Sequence, residues 1–331
     1  MTLPNRRTAA AWMTLPWLLP AGARAQAGWR PTERITYVIG VAPGGTVDLY
    51  ARGIKDALEK LQLVHGQAVV PDNKVGAGGV LALQVLQANA GNGHFLGTFH
   101  TGAIAGAATG LIKADVRQYP PVAMMVEETS LVAVRADSPL KNATDLVAAL
   151  KAAPTSLRIA VAPALGQNTH LAIVKPLKAA GVAVASLTIA PFRSSGESVT
   201  ALIGGHVDVV SATAPVIVPQ VQAGKLRILA SAAAERGAGP LAEVRTWREQ
   251  GVDADYVSYN GVLAPPRATP EQLRFWEGAL RQVAAHPEWI AMVERSGNKA
   301  IFRGQEASAR YLTDEWKAAS ALVAELGLAP K

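Results

Sequence analysis

Pro43-Gly44-Gly45-Thr46 stands between an apolar run over residues 35–41 and a helical pattern. Val47, Tyr50, Ala51, Ile54, Leu58 and Leu61 follow it, recurring three or four positions apart. Strand, glycine turn and helix start together form the local build of an anion site. Glycine lets a ligand approach the backbone closely, and the free N–H groups and dipole of a first helical turn favour a carboxylate or a phosphate. Thr46 is placed to cap the helix and to add a hydroxyl. Asp48 either faces a ligand amine or caps its own helix. The same residues also make an ordinary tight βα turn, so the rest of the chain decides what the motif means.

The elements that would hold such a turn alternate along the chain. Residues 35–41 have the character of a buried strand and residues 47–61 that of an amphipathic helix. A short strand at 68–70 runs into the turn 71–79, and a helix opens near Val80. Residues 95–99 form another apolar piece, ahead of a small-residue segment at 101–110. Further strands are expected at 131–134, 158–162, 207–210, 226–230 and 256–264. Helices are expected at 144–152, from about His170, at 195–203 and from Thr213 to Gly224, with Pro176 kinking or starting part of its helix. This alternation predicts parallel α/β layers. The tail is helical. Thr269-Pro270-Glu271-Gln272 joins an N-cap, proline at N1 and a capping-box glutamine, and two more helices lie at 287–295 and 305–326. Trp276, Trp289 and Trp316 suit core packing better than ligand stacking. The sequence shows no internal repeat and no low-complexity linker.

At 331 residues the chain has the length of about two domains. Half of it is hydrophobic and 17% is charged, a balance that fills a core and argues against disorder. The formal charge of +7 is spread along the chain without a Lys/Arg tract, which speaks for solubility and mild attraction of anions, not for nucleic acid. Cysteine is absent, which excludes disulfides, thiolate metal sites, thiol catalysis and a lipid-anchored cysteine. Residues 1–25 read as a signal peptide: Arg6-Arg7, an apolar stretch at 9–19, then Ala23-Arg24-Ala25 as a small-x-small cleavage site. A frame ending at Ala27 competes with it, and Arg6-Arg7 leaves Sec and twin-arginine export both open. Loss of Arg6, Arg7 and Arg24 takes the charge from +7 to +4. An uncleaved anchor would need a longer stretch than one broken by Pro16 and Pro20. Export without disulfides points to a bacterial periplasm.

The chain resembles the tripartite tricarboxylate transporter substrate-binding proteins, the Bug or TctC-type receptors. The resemblance extends from about Tyr37 to Trp316. Its pieces come in the family's order. Ala42-Pro43-Gly44-Gly45-Thr46-Val47-Asp48 with Ala51-Arg52 resembles the first ligand loop. Asn73 and Gly76-Ala77-Gly78-Gly79 resemble the Asn-Arg-Pro-Gly-Ala-Gly-Gly signature, and residues 166–171 sit where the family has a Gly/Ser-rich loop ending in His-Leu. The stretches 201–208 and 223–227, then Leu263-Ala264-Pro265 with Thr269-Pro270, complete the set. Departures are Lys74-Val75 for Arg-Pro, Ala90-Gly91-Asn92-Gly93-His94 for Ala-Pro-Asp-Gly-Tyr, and Gln167-Asn168-Thr169 for a serine-rich run.

The resemblance implies a type II periplasmic-binding-protein fold: two α/β lobes joined by crossing strands, with a ligand cleft between them. Residues 31–127 with 258–331 would form one lobe and 128–257 the other. It implies a small carboxylate ligand, such as a di- or tricarboxylate, an aromatic acid or an amino acid, held largely by loop amides. No cofactor, metal or nucleic acid is expected; the partners are the membrane permease subunits, and the receptor is a monomer. Pro43, Gly44, Gly45 and Thr46 would hold the ligand from one lobe, with Gly44 and Gly45 offering N–H groups. Gly166, Gln167, Asn168 and Thr169 would do so from the other. Thr98 or Thr101 would supply a hydroxyl. Asp208, expected at the cleft end of a strand, either orients a water or ligand hydroxyl or fixes loop amides. Thr213 either faces the cleft or caps a helix. His170 and His206 lack metal-partner spacing and suit structural roles. Rival readings are a receptor signalling to a membrane kinase and an enzyme on the same fold. The chain has no Gly-x-Ser-x-Gly, His-Glu-x-x-His or P-loop motif, which speaks against the enzyme.

Overall fold

The computed structural model describes residue 1 and residues 28–76, 79–237 and 239–329. The expected signal peptide beyond Met1, and Ala77-Gly78 of the second turn, lie outside the described residues. The remainder forms two α/β lobes. The first sheet has the order β11-β4-β10-β3-β1-β2. Its strands are β1 (Ile35–Ile39), β2 (Val69–Asn73), β3 (Phe95–His100), β4 (Pro121–Glu128), β10 (Ser258–Leu263) and β11 (Lys299–Arg303). The second sheet has the order β7-β6-β8-β5-β9. It holds β5 (Ser130–Arg135), β6 (Arg158–Val161), β7 (Thr188–Pro191), β8 (Val209–Thr213) and β9 (Leu226–Ser231).

Both sheets are mixed, which corrects the expectation of parallel layers. β1 runs parallel to β2 and β3, and β6 parallel to β7 and β8. β10 is antiparallel to β3 and β4, and β5 is antiparallel to β8 and β9. The reason lies in the connections. Only Thr129 separates β4 from β5, so the chain passes straight into the second sheet and β5 starts beside the carboxyl end of β8, Ser130 opposite Thr213, which makes the two antiparallel. β4, β7 and β11 are not among the strands expected from the sequence. β4 is buried along most of its length and so lacks alternation, while β7 and β11 are short edge strands.

Helices α1 (Thr46–Lys60), α2 (Val80–Ala88), α8 (Pro270–Ala284) and α9 (Pro287–Arg295) cover the first sheet, and α4 (Ala143–Ala152), α5 (Asn168–Ala179), α6 (Ser195–Ile203) and α7 (Ala214–Gln222) the second. α1 buries Tyr50, Ala51, Ile54 and Leu58 against Ile35, Tyr37, Ile39 and Trp276. Each large apolar side chain so placed contributes roughly 1.5–3 kcal/mol. α8 starts with the expected capping box, Thr269 and Gln272 bonding reciprocally. The small-residue segment becomes α3 (Thr101–Ala108), and α5 continues through Pro176. α10 (Gln305–Glu325) spans both lobes. Leu312, Ala319 and Val323 join a core of the first lobe, Leu322 and Leu326 pack on that of the second, and Glu325 pairs with Lys178.

Candidate functional site

The turn at residues 40–45 leaves the carboxyl end of β1, the edge at which α/β sheets take ligands. Gly44 has a φ of 83°, a conformation that suits only glycine. Gly45 is the N-cap, with Thr46 the first helical residue, and no side chain caps the helix. Thr46 therefore does not have the capping role expected of it. Asp48 folds back into the turn. Its Oδ2 accepts from Gly44 N–H at 2.9 Å and from Arg52 Nε at 2.9 Å, and its Oδ1 accepts from Asn73 Nδ2 at 2.9 Å. Burial alone would raise the Asp48 pKa; the bonds from Arg52, Asn73 and Gly44 outweigh it and hold the carboxyl below its usual range. Asp48 thus serves its own turn, and Arg52 neutralises it. Gly45 N–H donates to Ala42 O at 3.3 Å, and the first helical bond is Leu49 N–H to Gly45 O. The N–H groups of Gly44 and Gly45, expected to face a ligand, are engaged. Those left without an acceptor among the described hydrogen bonds belong to Thr46, Val47 and Asp48.

The second lobe repeats this build. Ala164-Leu165-Gly166-Gln167-Asn168-Thr169-His170 matches residues 42–48 position for position. Gly166 has a φ of 76°, its N–H donates to His170 Nδ1 at 2.8 Å, and Gln167 N–H donates to Ala164 O at 3.3 Å. His170 stands where Asp48 stands in the first lobe. The N–H groups of Asn168, Thr169 and His170 are then the unpartnered ones among the described hydrogen bonds. Only alanine and glycine are shared between the turns, too little for the repeat to show in the sequence. The Thr169 hydroxyl is engaged with Ala162 O at 2.6 Å and Ala162 N–H at 2.8 Å. Gln167 is buried against α3, where a Cβ on Gly106 would lie 3.0 Å from its Nε2.

His170 accepts at Nδ1, so its proton sits on Nε2 and the ring is neutral. Burial lowers its pKa from 6.5 to about 4, and burial lowers that of His100 to about 4 as well. Between those values the unfolded chain binds more protons than the folded one, so stability falls as pH drops from 6.5 towards 4. Urea denaturation at pH 7 and pH 5 should show a loss of about 2 kcal/mol per histidine. A His170→Gln variant should lose its share of that dependence; an unchanged slope would refute the assignment.

The remaining candidates divide. Pro43 is exposed at the turn. The Thr98 hydroxyl accepts from Gly40 N–H at 3.2 Å and so braces the first turn. Thr101 is fully buried; its Oγ1 accepts from Tyr259 N–H at 2.8 Å and lies 2.9 Å from Tyr311 Oη, so it faces no ligand. Thr213 is the N-cap of α7 without a side-chain cap bond, at the carboxyl end of β8. Asp208 is a correction. It precedes β8, beside Arg158 at the start of β6, whereas the second turn leaves the other end of β6. The hydrogen bond from Arg158, at 3.1 Å to Nε, leads in lowering the Asp208 pKa. Three residues that sequence reasoning did not single out, Glu128, Tyr256 and Ser258, meet Asn168 between the lobes. Asn168 bonds to Ser258 and Tyr256, and Ser258 to the buried Glu128, whose pKa burial raises. No local signal marks these residues, because their partners are distant in sequence.

The described residues contain no cluster of His, Asp and Glu fit to hold a metal. The two turns instead present backbone dipoles with no net side-chain charge, an arrangement suited to a small anion. Comparison with known proteins gives a consistent result. The family model for the tripartite tricarboxylate transporter family receptor matches residues 50–328. A protein of Cupriavidus necator, described as the UPF0065 protein in the gbd 5′ region, is 29% identical over 308 residues, covering 93% of this chain and 91% of its own. Among solved structures, R. palustris Rpa4515 with adipate has a TM-score of 0.78 at 24% identity, over 91% of this chain and 99% of that one. MatC from Rhodopseudomonas palustris with bound malate has a TM-score of 0.72 at 25% identity, over 88% and 99%.

Proposed function

The chain belongs to the tripartite tricarboxylate transporter receptor family, and from that premise we propose that it is a periplasmic solute receptor. It captures a small carboxylated compound between its lobes and delivers it to a tripartite tricarboxylate-type permease. The observation that carries this reading is the matched pair of turns, each presenting three N–H groups at a helix start that have no acceptor among the described hydrogen bonds, and each held by an internal acceptor, Asp48 or His170. Preorganised amides bind with little ordering entropy, and anions gain from the helix dipole. Adipate and malate in the solved neighbours are of the same chemistry. Of the expected ligand residues, Gly44, Gly45 and Gly166 shape the turns, and Thr46 and Asn168 contribute backbone N–H groups. Thr213 lines the second lobe's edge. The receptor returns its ligand chemically unchanged and carries out no reaction. Lobe closure on the ligand is the state a membrane partner reads.

A thermal-shift screen of carboxylic acids including malate and adipate, followed by calorimetry, should find a ligand bound at about micromolar affinity or tighter, roughly 8 kcal/mol. No binding across mono-, di- and tricarboxylates, or turnover that survives repurification, would sink the reading. Gly45→Val tests the first turn. Gly45 has a φ of −74°, and an added Cβ meets nothing nearer than Ala42 O at 3.4 Å, so the variant should fold. The branched side chain would crowd the Thr46 and Val47 N–H groups, and affinity should fall about tenfold or more. Unchanged affinity in the folded variant would place the anion elsewhere.

A further inference from the structure

The chain passes between the lobes along two short buried polar stretches. Glu128, Thr129 and Ser130 are 8%, 6% and 2% exposed on the way out, and Tyr256 and Ser258 are 5% and 1% exposed on the way back. Buried backbone and side-chain polar groups at such crossings need partners. Here the partners reach back to the helices that carry the candidate ligand amides.

Thr129 N–H donates to Asn298 Oδ1 at 2.9 Å, and Asn298 Nδ2 donates to Tyr50 Oη, on α1, at 2.5 Å. On the return, Tyr256 Oη donates to Asn168 Oδ1 at 3.1 Å, and Asn168 is the first residue of α5. Asn168 Nδ2 then donates to Ser258 Oγ at 3.4 Å, and Ser258 Oγ donates to Glu128 Oε2 at 3.2 Å. That series runs in one donor direction and ends on the carboxyl group of Glu128. Glu128 and Thr129 are neighbours, so the tie from α1 and the tie from α5 meet on one crossing segment. The start of α3 joins from the side, through Thr101 Oγ1 and Tyr259 N–H.

We propose that Glu128, Ser258 and Asn298 are positioning residues. Through the crossing segments they bias the starts of α1 and α5 towards the relative orientation in which the two amide clusters converge on a single ligand, which none of the three touches. The Asn168 side chain belongs to this tie, while its backbone N–H belongs to the site. The meaning of the proposal rests on the receptor reading, but its first test needs no ligand.

The chain has no cysteine, so an Asp56→Cys and Lys151→Cys pair, on exposed faces of α1 and α4, labels the two lobes specifically. The interlobe distance distribution is then measured by pulsed electron resonance on ligand-free protein. Ser258→Ala and Asn298→Ala should each shift or broaden it relative to the labelled parent, and the two together should do more. Ser258→Thr, which keeps the hydroxyl, should restore the parent distribution. Glu128→Gln, which keeps an acceptor oxygen, serves where an alanine variant fails to fold and should broaden the distribution only slightly. Parent-like distributions in both folded alanine variants would overturn the proposal, and so would broadening that Ser258→Thr fails to reverse. Calorimetry with adipate is the second arm, with an expected loss of about tenfold in each alanine variant. Failure of adipate and every other acid to bind the parent would count against the receptor reading and leave the distance result standing.

Discussion

Asp48→Ala is expected to abolish measurable ligand affinity and to lower the free energy of unfolding by about 3 kcal/mol. The carboxylate is 2% exposed and accepts from Gly44 N–H, Arg52 and Asn73 together. Removing it leaves the Gly44 donor without a partner and frees a turn held at a positive φ of 83°. It also leaves the Arg52 charge uncompensated, although that side chain is 45% exposed and water recovers part of the loss. With the turn released, the Thr46, Val47 and Asp48 N–H groups no longer stay aimed in one direction. Asp48→Asn keeps one acceptor oxygen and should lose less on both counts. Calorimetric titration and urea denaturation of the two variants read the effects separately. An alanine variant with parental affinity would mean that the turn does not hold the anion.

Gly261→Ala should be the most damaging single methyl group in the first lobe, at about 4 kcal/mol or more, enough to remove much of a typical domain's stability. An added Cβ would lie 2.2 Å from Ala123 O and 2.9 Å from Met124 Cα. Both are backbone atoms of β4, so no side-chain rotation relieves the clash. β10 is buried throughout and its register with β4 shifts at Asn260/Gly261, a bulge that the missing side chain permits. Gly278→Ala on the exposed face of α8 is the control. Nothing lies within 4 Å of its Cβ, and helix propensity predicts a gain of up to about 1 kcal/mol. Soluble yield and melting temperature compare the two variants; equal melting temperatures would show that β4 yields at this point.

Much of the fold is legible from local pattern. The 35–41 run, the helix behind it and the Thr269-Gln272 box appear where hydrophobic period and capping chemistry place them. Trp276 and Trp289 are 1% and 2% exposed, as core residues should be. The misses have physical causes. β4 has no alternation because both its faces are covered, and the sheets are mixed because the chain crosses between lobes without a returning helix. Asp208 lies one residue before a strand that runs from Val209 to Thr213, so a shift in the strand boundary moved it to the wrong end. Thr101 looked available because its partners, Tyr259 and Tyr311, lie 158 and 210 residues away.

The class of each element, the glycine turns ahead of helices and the kind of ligand such turns favour are readable locally, because they depend on groups within a few residues of one another. Which amides stay open among the described hydrogen bonds depends on how the chain folds. Gly44 and Gly45 offered N–H groups on paper, yet Asp48 and Ala42 accept them, and the open donors move one step into α1. A carboxylate or imidazole four residues along can turn inward or outward with equal local ease. Asn73 helps to settle the direction for Asp48, and the buried surroundings settle it for His170. The crossing segments were beyond reach for the same reason: a buried donor takes whichever acceptor folding brings to it, and Thr129 found Asn298 169 residues later.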